Sequence, residues 1–147
     1  MFEDLNKLPN GVSDFAKLRK EQRIYVDKTD LIYKLTQNSC QPILFTRPRR
    51  FGKSLLVSTL KCLFTNQLEL FKGLKIEPLW QDTEQYYVLH LDFSSMNSTS
   101  VDAFKISFNN ALDRFILKNK LVINRNAGDS VSEKLIGICN AVGENKL

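Results

Sequence analysis

The sequence predicts an α/β fold in which helices flank a parallel sheet, with the fold incomplete at its C-terminal end. Three observations carry this expectation. Residues 42–46 (PILFT) have the length and unbroken apolarity of a strand buried on both faces. From Lys53, the residues Leu56, Leu60, Leu63 and Phe64 recur at helical spacing, with Leu55 alongside. Residues 86–93 (YYVLHLDF) are rich in aromatic and β-branched side chains and predict a second buried strand. Strand, loop, helix, strand, helix is the order of a parallel sheet with crossover helices.

The remaining elements are taken in chain order. Ser13 and Asp14 offer a cap for a short amphipathic helix carrying Phe15 and Leu18 on one face. Ile24, Tyr25 and Val26 suit an extended strand, after which Thr29 or Asp30 caps a helix that buries Leu31, Ile32 and Leu35. A polar turn is expected at residues 38–41. Residues 68–71 read as a short helical turn stopped by Gly73, and Pro78 breaks the segment beyond it. Ser100 or Asp102 caps a helix in which Phe104, Phe108, Ala111 or Leu112, and Phe115 fall three and four residues apart. Residues 124–128 read as a turn, and residues 131–142 as a last helix weakened by Gly137. The chain stops at residues 145–147 just where a further strand of the sheet is expected, so it reads as the front part of a longer protein.

Composition bounds the function. With 147 residues, 43% of them hydrophobic, the chain is long enough for one core and short for two, so one domain is expected. No apolar stretch approaches bilayer length and the N-terminus starts acidic and polar, which predicts a soluble, cytoplasmic protein without a membrane partner. Cys40, Cys62 and Cys139 are odd in number and far apart, which argues against a metal knuckle or a disulfide framework. The net charge of +5 favours polyanions, but much of the excess sits at residues 19–23 and 47–53. A local anion site fits that distribution as well as a nucleic-acid surface does.

The loop between the first expected strand and its helix reads RPRRFGKS. Gly52, Lys53 and Ser54 supply the last three positions of the phosphate-loop pattern GxxxxGK[ST], while Arg47 stands where its first glycine belongs. In such a loop, backbone N–H groups at a helix N-terminus cradle phosphate oxygens, the lysine meets the β and γ phosphates, and the hydroxyl ligates magnesium. The expected ligand set is therefore ATP and Mg2+, held by Arg49, Arg50, Phe51, Gly52, Lys53 and Ser54, with Ser54 on the metal. Asp92, at the end of the second expected strand, is the candidate for a further magnesium or water contact, or else a cap for the loop after it. His90 is expected to be a packed strand residue, Trp80 a core or edge anchor, and Arg19, Lys20 and Arg23 the solvated side of their helix. The alternative is a non-hydrolytic basic module whose arginines contact nucleic-acid phosphates or a protein, or an inactive truncated gene product.

PNGVSDFAKLR, YVDKTDLIYKL, RPRRFGKSLLVSTL, LFKGLKI and VLHLDFSS, in this order and spacing, resemble the AAA-ATPase-like family of bacterial P-loop proteins. The resemblance covers about residues 5–95 motif by motif and the rest more loosely. It implies that the arginine-rich loop is a family trait, that Lys53 and Ser54 take the phosphate and magnesium roles, and that the segment around Tyr25, Asp27 and Lys28 packs near the nucleotide. It implies a partial P-loop NTPase fold over residues 1–147, ending before the acidic Walker B strand. It also implies a partner, a PD-(D/E)XK nuclease-like domain further along a longer chain. Without a Walker B strand, negligible ATP turnover is expected of these residues alone.

Overall fold

The computed structural model describes residues 8–37, 42–123 and 130–143. The chain divides into two compact units, Met1–Gln85 and Tyr86–Leu147.

The first unit carries helices α1 (Phe15–Lys20), α2 (Thr29–Gln37) and α3 (Lys53–Phe64), followed by a 3-10 turn at Leu68–Phe71. Helix α1 begins where the Asp14 carboxylate accepts the backbone N–H of Lys17 at 2.7 Å, as the sequence predicts. Helix α2 is started two residues earlier than expected: Asp27 Oδ1 accepts from the N–H of Thr29 at 2.9 Å and from its hydroxyl at 2.6 Å. The core gathers Phe15, Ile32, Cys62 and Leu63 from the helices with Leu70, Phe71, Leu74 and Ile76 from the turn and the segment beyond it. Phe15 is its centre, with ring contacts to Phe71 at 4.8 Å and to Tyr25 at 5.3 Å. Its backbone N–H also donates to Ser58 Oγ at 2.9 Å, which fastens the start of α1 to the middle of α3. Trp80 stands edge-on to Phe64 at 5.7 Å and serves as the expected anchor.

The second unit is a helix pair, α4 (Val101–Asn119) and α5 (Val131–Val142), preceded by a 3-10 turn at Phe93–Ser95. Ser100 caps α4 through the N–H of Ala103 at 3.1 Å, and Ser130 caps α5 through that of Glu133 at 3.3 Å. Leu112, Phe115 and Ile116 of α4 bury against Ile138 of α5, with Tyr87 and Leu89 packed on the same cluster. Lys134 Nζ bridges the pair by donating to both Asp113 oxygens at 2.8 and 2.9 Å.

This overturns the α/β expectation. Among the described residues there is no β-strand, so neither a parallel sheet nor its P-loop NTPase topology is present, and the regular structure is helical. Residues 42–46 are exposed rather than buried on both faces, with Leu44 at 88%. Ile24 and Val26, also expected in a strand, lie in the open as well. Apolar and β-branched composition reports a segment that can cover itself against neighbours; a strand further requires an adjacent chain to complete its ladder. Within residues 86–93, Tyr87 and Leu89 pack on the helix-pair cluster instead, while His90 and Phe93 are exposed rather than buried in a strand.

The expected solvated arginines are also engaged. Arg19 donates from Nε to the Leu70 carbonyl and from Nη2 to that of Lys72, both at 2.7 Å. Arg23 donates from Nη1 to the Leu8 carbonyl at 3.1 Å and pairs with Glu21. The expected turns at residues 38–41 and 124–128 and the end at residues 145–147 lie outside the described residues. No helix of the described residues is long and apolar enough to cross a membrane.

Candidate functional site

The Gly-Lys-Ser motif stands at the start of a helix, as the sequence predicts, but the buried strand expected ahead of it is absent, residues 42–46 being exposed and without regular structure. Gly52 takes the left-handed conformation, φ 77 and ψ 14, and hands the chain to α3, whose first turn contains Lys53 and Ser54. Its carbonyl accepts the first intrahelical bond, from the N–H of Leu56 at 2.9 Å. No acidic side chain occupies the first turn of α3, so the positive end of the helix dipole is left for an external anion.

The missing first glycine has a structural answer. Arg47 is not among the described non-glycine residues with positive φ, whereas Arg50 is, at 68°. The left-handed bend is placed three residues later than the sequence pattern suggests, and Arg47 has no need of glycine's freedom. Its guanidinium instead lies over the Phe45 ring at 5.4 Å. A left-handed Arg50 and a left-handed Gly52 turn the backbone sharply twice in three residues, and a non-glycine residue in that region marks a constrained loop.

Arg50, Gly52, Lys53, Ser54 and Leu55 line a cavity of about 700 Å³ together with Pro9, Asn10, Gly11, Val12 and Ser13. That size is within the roughly 300–1,000 Å³ of small-molecule sites. The structure thus brings together four of the residues expected to hold a nucleotide. Arg49 and Phe51 belong to the same exposed loop but do not line the cavity. Among the described residues, Arg49, Arg50 and Lys53 have no carboxylate within ion-pair distance, so their charge is available to a ligand.

The other candidates fall elsewhere. Asp92 Oδ1 accepts from the N–H of Ser94 at 3.0 Å and from its hydroxyl at 2.6 Å, the capping role rather than an open carboxylate. The Ser94 hydroxyl and N–H hold this carboxyl below its ordinary range. Tyr25 lies against Phe15, and burial raises its phenol above the ordinary value although a Thr59 hydrogen bond opposes this, so it stays neutral. Asp27 reaches the backbone of Lys75 rather than the cavity. Sequence reasoning missed the wall formed by residues 9–13; its signal was the turn pair Pro9-Asn10-Gly11, whose Gly11 has φ 69. Among the described residues, no group of three His, Cys, Asp or Glu side chains could hold a metal ion; Cys62 is buried and Cys139 exposed, both as free thiols.

Comparison with known proteins points to one family. The family described as Predicted AAA-ATPase matches residues 9–146. An uncharacterized protein encoded in the vnfD 5′ region of Azotobacter chroococcum mcd 1 is 41% identical over 88 residues, which is 59% of this chain and 17% of that relative. No solved structure matches the chain. With the family covering nearly every residue from the Pro9 turn through α5, the chain belongs to the predicted AAA-ATPase family.

Proposed function

We propose that this chain binds Mg-ATP at the cavity between residues 50–55 and residues 9–13. Lys53 meets the β and γ phosphates, Ser54 supplies a hydroxyl to magnesium, and the backbone of Arg49, Arg50, Phe51 and Gly52 offers N–H groups to phosphate oxygens. The observation that carries this reading is the position of Lys53 and Ser54 at the first turn of α3, on the lining of the cavity, behind the left-handed pair Arg50 and Gly52. Magnesium fits the donor set: Ser54 is exposed and its hydroxyl has no hydrogen bond among the described residues. In a longer chain such a domain would serve a neighbour, a PD-(D/E)XK nuclease-like domain by family resemblance.

Binding of a fluorescent ATP analogue to wild type and to Lys53→Ala tests the assignment. Loss of binding in the variant supports it; unchanged affinity sinks it. Binding that instead falls steeply with salt, tolerates Lys53→Ala and depends on Arg49 and Arg50 would mark a backbone-phosphate contact to nucleic acid.

A further inference from the structure

We propose that Ser58, which does not itself line the cavity, is a positioning residue for the ligand site: its hydroxyl holds residues 9–13 at a fixed spacing from the first turn of α3, and the affinity of the site depends on that hold. The inference rests on the phosphate-loop reading above. Its first ground is the path of the chain. The cavity is lined by two stretches far apart in sequence, residues 9–13 and the residues around the start of α3. Only Asp14 separates the first stretch from Phe15, the first residue of α1. The N–H of Phe15 donates to Ser58 Oγ at 2.9 Å across 43 positions of sequence. Ser58 in turn stands one helical turn beyond Ser54, on the same face of α3. One hydrogen bond thus joins the end of one lining stretch to the helix that begins with the other.

The second ground is that α1 cannot hold this position alone. The N–H groups of a helix's first turn have no partner within the helix. In α1, the Asp14 carboxylate takes that of Lys17, but those of Phe15 and Ala16 turn to α3, where they meet the Ser58 hydroxyl and the Cys62 thiol one turn further on. With six residues, α1 makes too few bonds of its own to fix its direction. The Phe15 ring is fully buried against Phe71 and Tyr25, yet apolar burial is non-directional and leaves the backbone able to tilt about the ring. A directional bond at the first residue of α1 removes that tilt, and residues 9–13 would move with it.

The third ground is a division of labour along α1. Its far end is fastened elsewhere, by Arg19 to the carbonyls of Leu70 and Lys72. Its near end, next to the cavity, is fastened to α3 by Ser58. Loosening either end costs stability, but only the near end carries residues 9–13. A site whose spacing is set before the ligand arrives spends less of its binding energy on ordering the chain.

Calorimetric titration of the full chain and three variants with Mg-ATP tests this. Ser58→Ala should weaken ATP by about fivefold or more, the scale of one hydrogen bond, and Ser58→Thr, which keeps the hydroxyl, should recover at least about half of that loss. Arg19→Ala destabilises α1 at its far end, off the cavity, and should change ATP affinity by less than about twofold. The wild type supplies a reading that needs no variant to fold: coupling between ligand and hold is reciprocal, so saturating Mg-ATP should slow hydrogen exchange of the Phe15 amide by about fivefold or more. Unchanged affinity in Ser58→Ala, an equal loss in Arg19→Ala, no recovery in Ser58→Thr, or a Phe15 amide indifferent to Mg-ATP would overturn the proposal while leaving Lys53-dependent binding in place. Wild-type protein that binds no Mg-ATP removes the phosphate-loop reading and this proposal with it.

Discussion

Asp27 Oδ2 accepts the backbone N–H of Lys75 at 2.8 Å across 48 positions of sequence, while its other oxygen starts helix α2. The hydroxyl of Thr29, itself bound to Asp27 at 2.6 Å, then accepts the N–H of Ile76 at 3.1 Å, and Ile76 is fully buried. Two side chains of the YVDKTD motif thus fasten the segment after the 3-10 turn to the helix ahead of the phosphate loop. The motif is a structural staple of the first unit.

Asp27 predicts an acid-sensitive fold. Burial pushes its carboxyl up, but hydrogen bonds from the Thr29 hydroxyl, the Lys75 N–H and the Thr29 N–H outweigh it and bring the carboxyl below its ordinary value. The unfolded chain therefore binds this proton more tightly than the folded one. The stabilisation is fully present above the ordinary carboxylate value of about 4 and is lost as pH falls through the lower folded value. Asp27→Asn keeps one acceptor but turns a donor toward another group; it should cost about 1–2 kcal/mol near neutrality. Urea midpoints measured from pH 7 downward should draw together for wild type and variant as pH falls below about 4.

Arg19 predicts a loss that lysine does not rescue. Its guanidinium forks onto the carbonyls of Leu70 and Lys72, closing α1 over the 3-10 turn. Charge-assisted bonds of this kind are worth about 1.5–3 kcal/mol when removed. Arg19→Ala should lose about that much stability in denaturant melts. Arg19→Lys should recover less than half, because an ammonium cannot present two donors in a fixed plane.

What was legible in the sequence was local. Asp14 and Ser100 were readable as caps because a cap acts on an N–H three residues away, and α3 was readable from the spacing of its leucines. The loop chemistry was readable for the same reason, since Gly52, Lys53 and Ser54 are consecutive. What failed was non-local. Whether residues 42–46 pair with another strand depends on residues far away in sequence, and no property of PILFT itself encodes a partner. Arg19 looked solvated because its acceptors lie 51 and 53 positions on. The contribution of residues 9–13 to the cavity lining escaped notice because they meet residues 50–55 only once α1 has docked on α3.

Arg50 predicts that glycine and alanine will behave differently at one site. Its φ of 68° lies in the left-handed region, where an L residue pays roughly 1–2 kcal/mol and glycine does not. Arg50→Ala keeps that strain and Arg50→Gly relieves it, offset by the roughly 0.5–1 kcal/mol of chain entropy that glycine costs. Arg50→Gly should therefore match or exceed Arg50→Ala in stability by up to about 1 kcal/mol in chemical denaturation. Both should weaken ATP, because both remove a cation from the cavity lining. A glycine variant clearly less stable than the alanine variant would show that the loop adopts another conformation in solution.

Gly137 predicts a gain. It sits inside α5, where glycine is less favourable than alanine by roughly 0.8–1 kcal/mol, and its φ is not among the positive values that would require it. A methyl group added there would meet the Ile123 side chain at 3.5 and 3.6 Å, which is ordinary van der Waals contact rather than a clash. Gly137→Ala should then stabilise the helix pair by about 0.5–1 kcal/mol, from helix propensity together with new contact to Ile123. Thermal melting followed by circular dichroism should show the midpoint rising by a few degrees, since about 1 kcal/mol shifts a domain of this size by roughly 2–8 °C. A fall in the midpoint would mean that Ile123 packs closer to α5 than 3.5 Å and that glycine is held there by a steric demand rather than tolerated.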